Sequence, residues 1–210
     1  MKYVLTLSLT VLGLMIVSAQ DIPVFTAQAE PDANFFETIN GKPSQVLPGC
    51  SWYCGGQVHA FNATSQLPAY ESVNYGPQQA HDFDVQTAWV EGKEGHGIGE
   101  RLTYTFDMRE HDEHNLGITH LLIANGYKKS EALWRKNNRV KRLRVYINQK
   151  VHCDVILQDV FTFQRVRIGD VSLPQKNVLT MSFEIREVYP GDRYQDTAIS
   201  ELLIDGFGVH

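Results

Sequence analysis

Apolar and polar residues alternate in many short segments of this chain, and this alternation limits the fold more than any other feature. In ERLTYTFDM, residues 100–108, Leu102, Tyr104 and Phe106 fall on one face. The same period occurs in RLRVYIN, KVHCDVILQD, FTFQRVRI and VLTMSFEIREVY, while GITHLLIAN is a more continuous apolar run, as in a central strand. A period of two residues indicates half-buried β-strands. Only KKSEALWRKNN approaches a helical pattern, and there we expect one short helix or a turn.

Strands that follow one another without intervening helices predict an antiparallel sandwich or barrel. The side chains that should point inward in two of the strands are Leu143, Val145 and Ile147 in the first, and Val151, Cys153, Val155 and Leu157 in the second. In a sandwich, functional residues most often lie in the loops at the ends of the sheets.

The N-terminus has the pattern of a secretory signal peptide. A short basic start is followed by an uncharged apolar run, Val4 to Val17, and by the small residues Ser18 and Ala19. The run is shorter than the roughly 20 residues of a membrane-spanning helix. We therefore expect cleavage near Ala19 and a secreted, periplasmic or cell-surface protein that does not span the membrane once processed.

The rest of the chain divides into two expected parts. Residues 20–49 carry four prolines and no clear periodicity, which predicts an extended leader or strap. Residues 50–210 are expected to form one domain. Loss of residues 1–19 removes Lys2 alone among charged residues, so that 18 Lys and Arg face 24 Asp and Glu, a net charge of −6. This acidic balance argues against a nucleic-acid partner.

The three cysteines are an odd number for an exported protein. Cys50 and Cys54 are close enough in sequence to close a small loop. One interpretation pairs them and leaves Cys153 as a buried, reduced residue, since free cysteine often behaves as a small apolar side chain. All three pairings remain open, and no motif marks any of the cysteines as a catalytic thiol.

Several segments occur in an order that resembles a known family. They are CSWYCGG (50–56), AHDFDVQTAWVEG (80–92), NGYKKSEALWRKNNRVK (125–141) and ISEL (199–202). Over about residues 51–206 the chain resembles galactose-binding-like discoidin (F5/8 type C) domains, and more narrowly the glycan-binding domain associated with bacterial NAD glycohydrolase translocation. The resemblance implies an eight-stranded antiparallel jelly-roll β-sandwich with a carbohydrate-binding or adhesive role and no catalysis of its own.

The spacing of Asp82 and Asp84 suggests a calcium loop, but the loop is not an EF-hand. Counted from Asp82, the twelfth position, which should be Glu, is Lys93. The resemblance implies another geometry, in which a structural calcium ion is held by Asp82, Asp84 and Thr87 together with the distant Glu201.

The alternative is a loop without metal. Asp82 would then accept backbone N–H groups and hold the turn, and Trp89 would pack in the core. The family pattern often has Gly or Asn directly after the first Asp, where this chain has Phe83. That difference bears on the path of the backbone through the loop.

Sugar binding needs an aromatic face for the apolar side of a pyranose ring and planar polar groups for its hydroxyls. Loop residues of these types are the candidate glycan contacts: Tyr75, His96, Asn125, Tyr127, Trp134, Arg139 and Tyr194. The alternative for Trp134 and its neighbours is a structural corner, in which Trp134 covers a sheet edge.

The sequence therefore predicts a carbohydrate-binding module whose partners are glycans or glycoconjugates. An alternative is a subunit that binds a surface or toxin protein through the same loops. An enzyme is disfavoured because the motifs GxSxG and HExxH are absent. The His111–His114 pair has a zinc-like spacing, but it lies in a polar segment that is better interpreted as a solvated loop.

Overall fold

The computed structural model describes residues 21–30, 37–39, 42–44, 52–54, 57–110 and 115–208. The described residues form 13 strands, one α-helix and two short 3-10 turns. The strands are β1 (Val24–Thr26), β2 (Gln28–Glu30), β3 (Glu37–Ile39), β4 (Lys42–Ser44), β5 (Ala60–Ala63), β6 (Trp89–Val90), β7 (Arg101–Asp107), β8 (Gly117–Asn125), β9 (Asn138–Ile147), β10 (Lys150–Ile156), β11 (Phe163–Ser172), β12 (Val178–Tyr189) and β13 (Thr197–Phe207). The helix α1 spans Glu131–Lys136, and the 3-10 turns span Trp52–Cys54 and Pro77–Ala80.

Eleven strands belong to one mixed sheet, and β3 and β4 form a separate hairpin. The main order is β2-β11-β8-β13-β9-β12-β7-β5, with β10 paired to β9 and β1, and β6 paired to β13. The strand β13 is antiparallel to β8 over most of its length and parallel to β9 at Thr197 and Ala198. Inward side chains of β7, β9 and β12 share one core with those of β8, β11 and β13. The all-β sandwich prediction is confirmed.

The described sheet has more strands than the eight antiparallel strands that were predicted. The strap residues add β1, parallel to β10, and β2, antiparallel to β11, so that the outer edges of β10 and β11 are covered. Covering an edge satisfies backbone groups that would otherwise be open to pairing with another chain. These strands have only three residues each and no alternation, so periodicity could not indicate them.

Most inward positions agree with the predicted alternation. Leu102, Tyr104 and Phe106 of β7 are fully buried, and so is Cys153, whose thiol is free. Val151 departs from the prediction because it is exposed. The pairing of β10 with β9 shifts its register between Val151 and Cys153, and such a bulge changes the face to which the preceding side chain points.

The helix α1 lies where KKSEALWRKNN predicts it. Ser130 caps its N-terminus, since its side chain accepts a hydrogen bond from the Leu133 N–H, and Glu131 and Arg135 form an i,i+4 pair at 2.6 Å. Among the described residues, no helix is long and apolar enough to cross a membrane. The helix lies between β8 and β9 and positions the chain segment that leads into β9.

Candidate functional site

The Asp82 carboxylate is the centre of the loop between the Pro77–Ala80 turn and β6. Its Oδ2 accepts hydrogen bonds from the Thr87 hydroxyl at 2.7 Å and from the Gln79 amide at 2.9 Å, and its Oδ1 accepts the Asp84 N–H at 3.0 Å. Thr87 Oγ1 also lies 2.9 Å from the Asp84 carbonyl oxygen. The loop therefore presents several oxygen atoms within a few ångströms of one another.

Glu201 of β13 completes this group from more than a hundred residues away. Its side chain is fully buried, and neither carboxylate oxygen has a hydrogen-bond partner among the described residues. Burial raises the pKa of Glu201 well above its ordinary value, and the nearby Asp82 carboxylate raises it further, while the Asp84 N–H, which lies close to the Glu201 carboxyl group, lowers it in part. A buried carboxyl group without a partner costs free energy, so this arrangement needs a compensating ligand or a proton.

The predicted ligand Asp84 has a side chain that is partly committed to the turn. Its Oδ1 accepts the Gln86 N–H at 2.9 Å, and its carbonyl oxygen accepts the Thr87 N–H at 3.0 Å. Asp84 lies close to Glu201 in two ways: its backbone N–H lowers the pKa of that carboxyl group, and its carboxylate raises it. The carbonyl oxygen and the carboxylate of Asp84 thus each already accept a hydrogen bond from within the loop.

Phe83 explains how the loop keeps its path without the glycine or asparagine that the family pattern has there. Its φ is +62°, in the left-handed region that favours glycine. The ring packs edge-on against Tyr53, with centroids 5.0 Å apart, and against His81 at 5.7 Å. These aromatic contacts offset the backbone strain, which is of order 1–3 kcal/mol for such a residue.

His81 fixes the start of the loop from inside the core. Its Nδ1 lies 2.9 Å from the Leu202 carbonyl oxygen and donates to it, while Nε2 has no partner among the described residues. Burial lowers the pKa of His81 to about 4, so the ring is neutral near pH 7. Its neighbour Tyr104 donates to the Ala80 or the Leu202 carbonyl oxygen, both at 3.0 Å.

The oxygen atoms of this loop can be compared with the ligands that calcium requires. No group of three or more His, Cys, Asp and Glu side chains within the described ranges is arranged to hold a metal ion. A cation here would depend on the Asp82 and Glu201 carboxylates together with carbonyl and hydroxyl oxygens. Calcium binds such mixed oxygen sets, and the two unpartnered oxygens of Glu201 fit this role.

Asn125, Trp134 and Arg139 are three of the predicted glycan residues, and they meet in a corner (residues 125–139) where their polar groups are satisfied internally. Asn125 is buried; its amide donates to the Val140 carbonyl at 2.7 Å and its oxygen accepts the Val140 N–H at 2.9 Å. The Trp134 indole N–H donates to the Asn125 carbonyl at 2.8 Å. The structural alternative for Trp134, that it covers a sheet edge, agrees with this geometry.

Arg139 is held just as tightly. Its Nε and Nη2 donate to the two oxygens of Asp159 at 2.9 and 2.7 Å, and its Nη1 donates to the carbonyls of Asn137 and Pro190 at 3.0 and 3.2 Å. The guanidinium also stacks on Trp134, 4.5 Å from the ring centroid. Gly126 has a φ of +80°, and a Cβ there would meet Trp134 and Arg139 side-chain carbons at 2.6 Å.

Beside this corner lies a cavity of about 380 Å³, which we call the aromatic pocket. It is lined by Glu131, Trp134, Arg135, Arg139, Asp159, Val160, Phe161 and Asp192. Trp134 and Phe161 meet edge-to-face, with centroids 5.7 Å apart. The hydrogen bond with Glu131 raises the pKa of Arg135, and the nearby Asp192 and Asp159 raise it further. The pocket thus joins aromatic walls to exposed planar polar groups.

The other predicted glycan residues lie outside the aromatic pocket. Tyr127 is largely buried and packs edge-on with Tyr75 at 6.3 Å, and it lines a separate polar cleft of about 310 Å³. His96 is exposed, and its Nδ1 lies 3.0 Å from the Asn138 amide. Tyr194 is exposed, with Arg193 5.3 Å above its ring. The seven residues therefore do not form one continuous surface.

Six lining residues of the aromatic pocket were not predicted from the sequence: Glu131 and Arg135 of α1, and four residues outside the corner, Asp159, Val160, Phe161 and Asp192. The last four could not have been found by pattern. They belong to loops 20 to 60 residues away from the corner, and no pattern in a single sequence links them to it. The predicted Cys50–Cys54 disulfide and the His111–His114 pair depend on side chains outside the described part of the chain.

Comparisons with known proteins identify a family whose model matches this chain. The model of the NAD glycohydrolase translocation F5/8 type C domain matches residues 52–205. No curated protein matches the chain. Among solved structures, the arabinofuranosyltransferase AftD from Mycobacteria is 16% identical with a TM-score of 0.44, and the match covers 70% of this chain and 11% of AftD.

Proposed function

The chain belongs to the NAD glycohydrolase translocation F5/8 type C domain family, and we propose that it acts as an exported carbohydrate-binding module without catalytic activity of its own. The aromatic pocket is the proposed sugar site. The observation that carries this proposal is the meeting of two aromatic side chains with exposed carboxylates in one concave site of about 380 Å³. Small-ligand sites have volumes of roughly 300–1,000 Å³ and a few convergent polar groups.

Each part of the pocket has a role that suits a sugar. The rings of Trp134 and Phe161 offer apolar surface to the C–H face of a pyranose. Asp159 and Asp192 can accept hydrogen bonds from neighbouring hydroxyls, and Arg135 can donate to ring or hydroxyl oxygens. The saturated corner behind them keeps Trp134 and Arg139 fixed, so little side-chain entropy is lost on binding.

Phe161 and Asp192 are the best residues for a test, because neither carries the buried hydrogen bonds of the corner. On a glycan array, we expect Phe161→Ala and Asp192→Asn to weaken binding about tenfold or more. Asp170→Asn, an exposed aspartate of β11, serves as the matched control. Unchanged binding in both pocket variants, with wild-type unfolding temperature, would remove the sugar site from this pocket.

We also propose that Asp82 and Glu201, with oxygens of Asp84 and Thr87, hold a structural calcium ion. The ion would supply positive charge to a buried carboxylate that has no other partner. The residues would in turn keep the loop 80–87 attached to β13. Calcium is thus assigned a role in holding the loop end together, and the sugar contacts are assigned to protein groups.

The second candidate function is binding to a surface or toxin protein during delivery. It is favoured by the family description, which refers to translocation, and by the exposed apolar side chains Ile98 and Tyr194 in neighbouring loops. The glycan array separates the two functions, since a subunit that acts only by binding a protein would bind no glycan. Incubation of the same preparation with array-positive glycans tests hydrolysis, and a released sugar would contradict the proposed lack of catalysis.

A further inference from the structure

The solvent face of β7, β9, β10 and β12 carries an ordered set of charges, which we call the arginine face. It consists of Arg101, Lys141, Arg142, Arg144 and Arg186 together with Asp154, Glu184 and Glu187. The sheet register sets the charges in a row. Glu184 lies opposite Arg101 on one neighbour and Arg144 on the other, and Arg144 lies opposite Asp154.

Two of the three acids of this face lie beneath the basic groups, whereas Glu187 is as exposed as its partners Lys141 and Arg142. The side chains of Asp154 and Glu184 are 4% and 5% exposed, whereas those of Arg101, Arg142 and Arg186 are 39–41% exposed. Arg101 lies over the ring of Tyr146, 4.3 Å from its centroid. A molecule that approaches the face at Arg101 and Arg186 therefore meets guanidinium groups before it meets Glu184. With five basic and three acidic groups, the face is positive on a chain whose formal net charge is −5.

Two of the arginines are fixed in place and still have free donors. Arg101 uses Nη2 for Glu184 at 2.6 Å and Tyr146 at 3.2 Å, and Arg186 uses Nη1 for Glu184 at 2.6 Å. A guanidinium has five N–H donors, so each arginine retains donors that point away from its partner. Side chains that are already ordered lose less entropy when they bind.

We propose that the arginine face is a docking surface for an acidic patch on another protein. The charges spread across four strands, about 14 Å at a strand spacing of about 4.8 Å, in two dimensions rather than along one line. Carboxylate groups on a polypeptide complement such an array, because each arginine can donate charge-assisted hydrogen bonds to a carboxylate. Arginine with an adjacent tyrosine is also the composition enriched at protein interfaces.

The experiment uses the full chain and immobilised poly-L-glutamate as the probe, with heparin as a second probe, at low and high salt. The test variant is Arg101→Gln with Arg186→Gln, and the matched control is Arg167→Gln, an exposed arginine on the outer side of β11. We expect the double variant to lose about tenfold or more of the poly-L-glutamate affinity and the control to keep it. High salt should weaken wild-type binding.

A double variant with lysine, Arg101→Lys with Arg186→Lys, covers the case in which the glutamine variant folds poorly. It keeps the charges, and retained binding by this variant supports the proposal. The proposal is overturned if wild type ignores poly-L-glutamate at low salt, or if the double glutamine variant binds it normally. Tighter binding to heparin through the same arginines would assign the face to an anionic polysaccharide instead. Salt-sensitive dimers of the wild type that disappear in the double glutamine variant would assign the arginine face to a second copy of this chain.

Discussion

The loop around Asp82 and the corner around Asn125 both contain buried polar side chains, but the two regions treat them in opposite ways. In the corner, Asn125 has each of its polar atoms paired with protein atoms at ordinary hydrogen-bond distances. In the loop, Glu201 is equally buried and neither of its oxygens is paired. A saturated group stabilises the fold by itself. An unsaturated group needs a compensating ligand or a proton, and the proposed cation is such a ligand.

This difference gives a criterion that residue type alone does not give. Asparagine, tryptophan and arginine in a loop are typical of sugar contacts, yet here their donors and acceptors are consumed by the corner. Glutamate in the middle of a strand is a poor candidate by position, yet it has free acceptors. The first region should therefore respond strongly to substitution, and the second should respond strongly to an added ion.

The largest expected effect on stability is in the corner, where Asn125 is fully hydrogen-bonded. Asn125→Asp keeps the shape of the side chain but replaces the amide donor, so that a carboxylate oxygen faces the Val140 carbonyl. We expect a loss of about 3–5 kcal/mol in the free energy of unfolding, as for a buried charge without a partner. Urea unfolding measures it. Asn62→Asp, an exposed asparagine of β5, is the control, and it should change stability by less than about 0.5 kcal/mol. Similar values for the two variants would contradict the saturated corner.

The next largest expected effect is that of calcium on the loop around Asp82 and Glu201. Calcium at about 100 times its dissociation constant should raise the free energy of unfolding by about 2.7 kcal/mol, a rise of roughly 5–10 °C in unfolding temperature for a chain of this size. Differential scanning fluorimetry with calcium and with chelator measures it. Glu201→Gln should abolish the rise, because it removes one of the two carboxylates proposed to face the ion. An unchanged temperature in wild type would sink the calcium proposal.

Part of this comparison could be predicted from sequence, and part could not. The alternation in β7 predicted the buried Leu102, Tyr104 and Phe106 because it directly reflects which face a strand buries. The resemblance predicted that Glu201 joins Asp82, which spacing in the chain could never show. The bulge after Val151 and the partnership of Arg139 with Asp159 depend on register and loop path. Those are set by tertiary packing, and no local pattern encodes them.

Substitution of Thr87 distinguishes the two interactions that hold the loop, which are the hydrogen bond to Asp82 and the proposed calcium ion. Its hydroxyl donates to the Asp82 carboxylate at 2.7 Å, and hydrogen bonds to charged groups contribute about 1.5–3 kcal/mol. Thr87→Val should therefore lower metal-free stability by about 1–2 kcal/mol, and it should reduce the calcium-induced rise without abolishing it. Thr87→Ser keeps the hydroxyl and should behave nearly as wild type in the same unfolding assay. Complete loss of the calcium response would make Thr87 an essential ligand rather than a support of Asp82.

The smallest effect, in the opposite direction, is Glu201→Gln measured with chelator present. The substitution keeps the shape of the side chain and removes the repulsion between the Glu201 and Asp82 carboxyl groups, which contributes to the raised pKa of Glu201. We expect the metal-free variant to match wild type or to exceed its unfolding free energy by up to about 1 kcal/mol. Asn125→Asp makes the reverse change, from amide to carboxylate, in the saturated corner, and it should be severely destabilising. The two variants together therefore compare the effect of a carboxylate and of an amide of the same shape in the two regions. A loss of several kcal/mol in metal-free Glu201→Gln would mean that the carboxyl group has a protein partner after all, and the contrast between the regions would disappear.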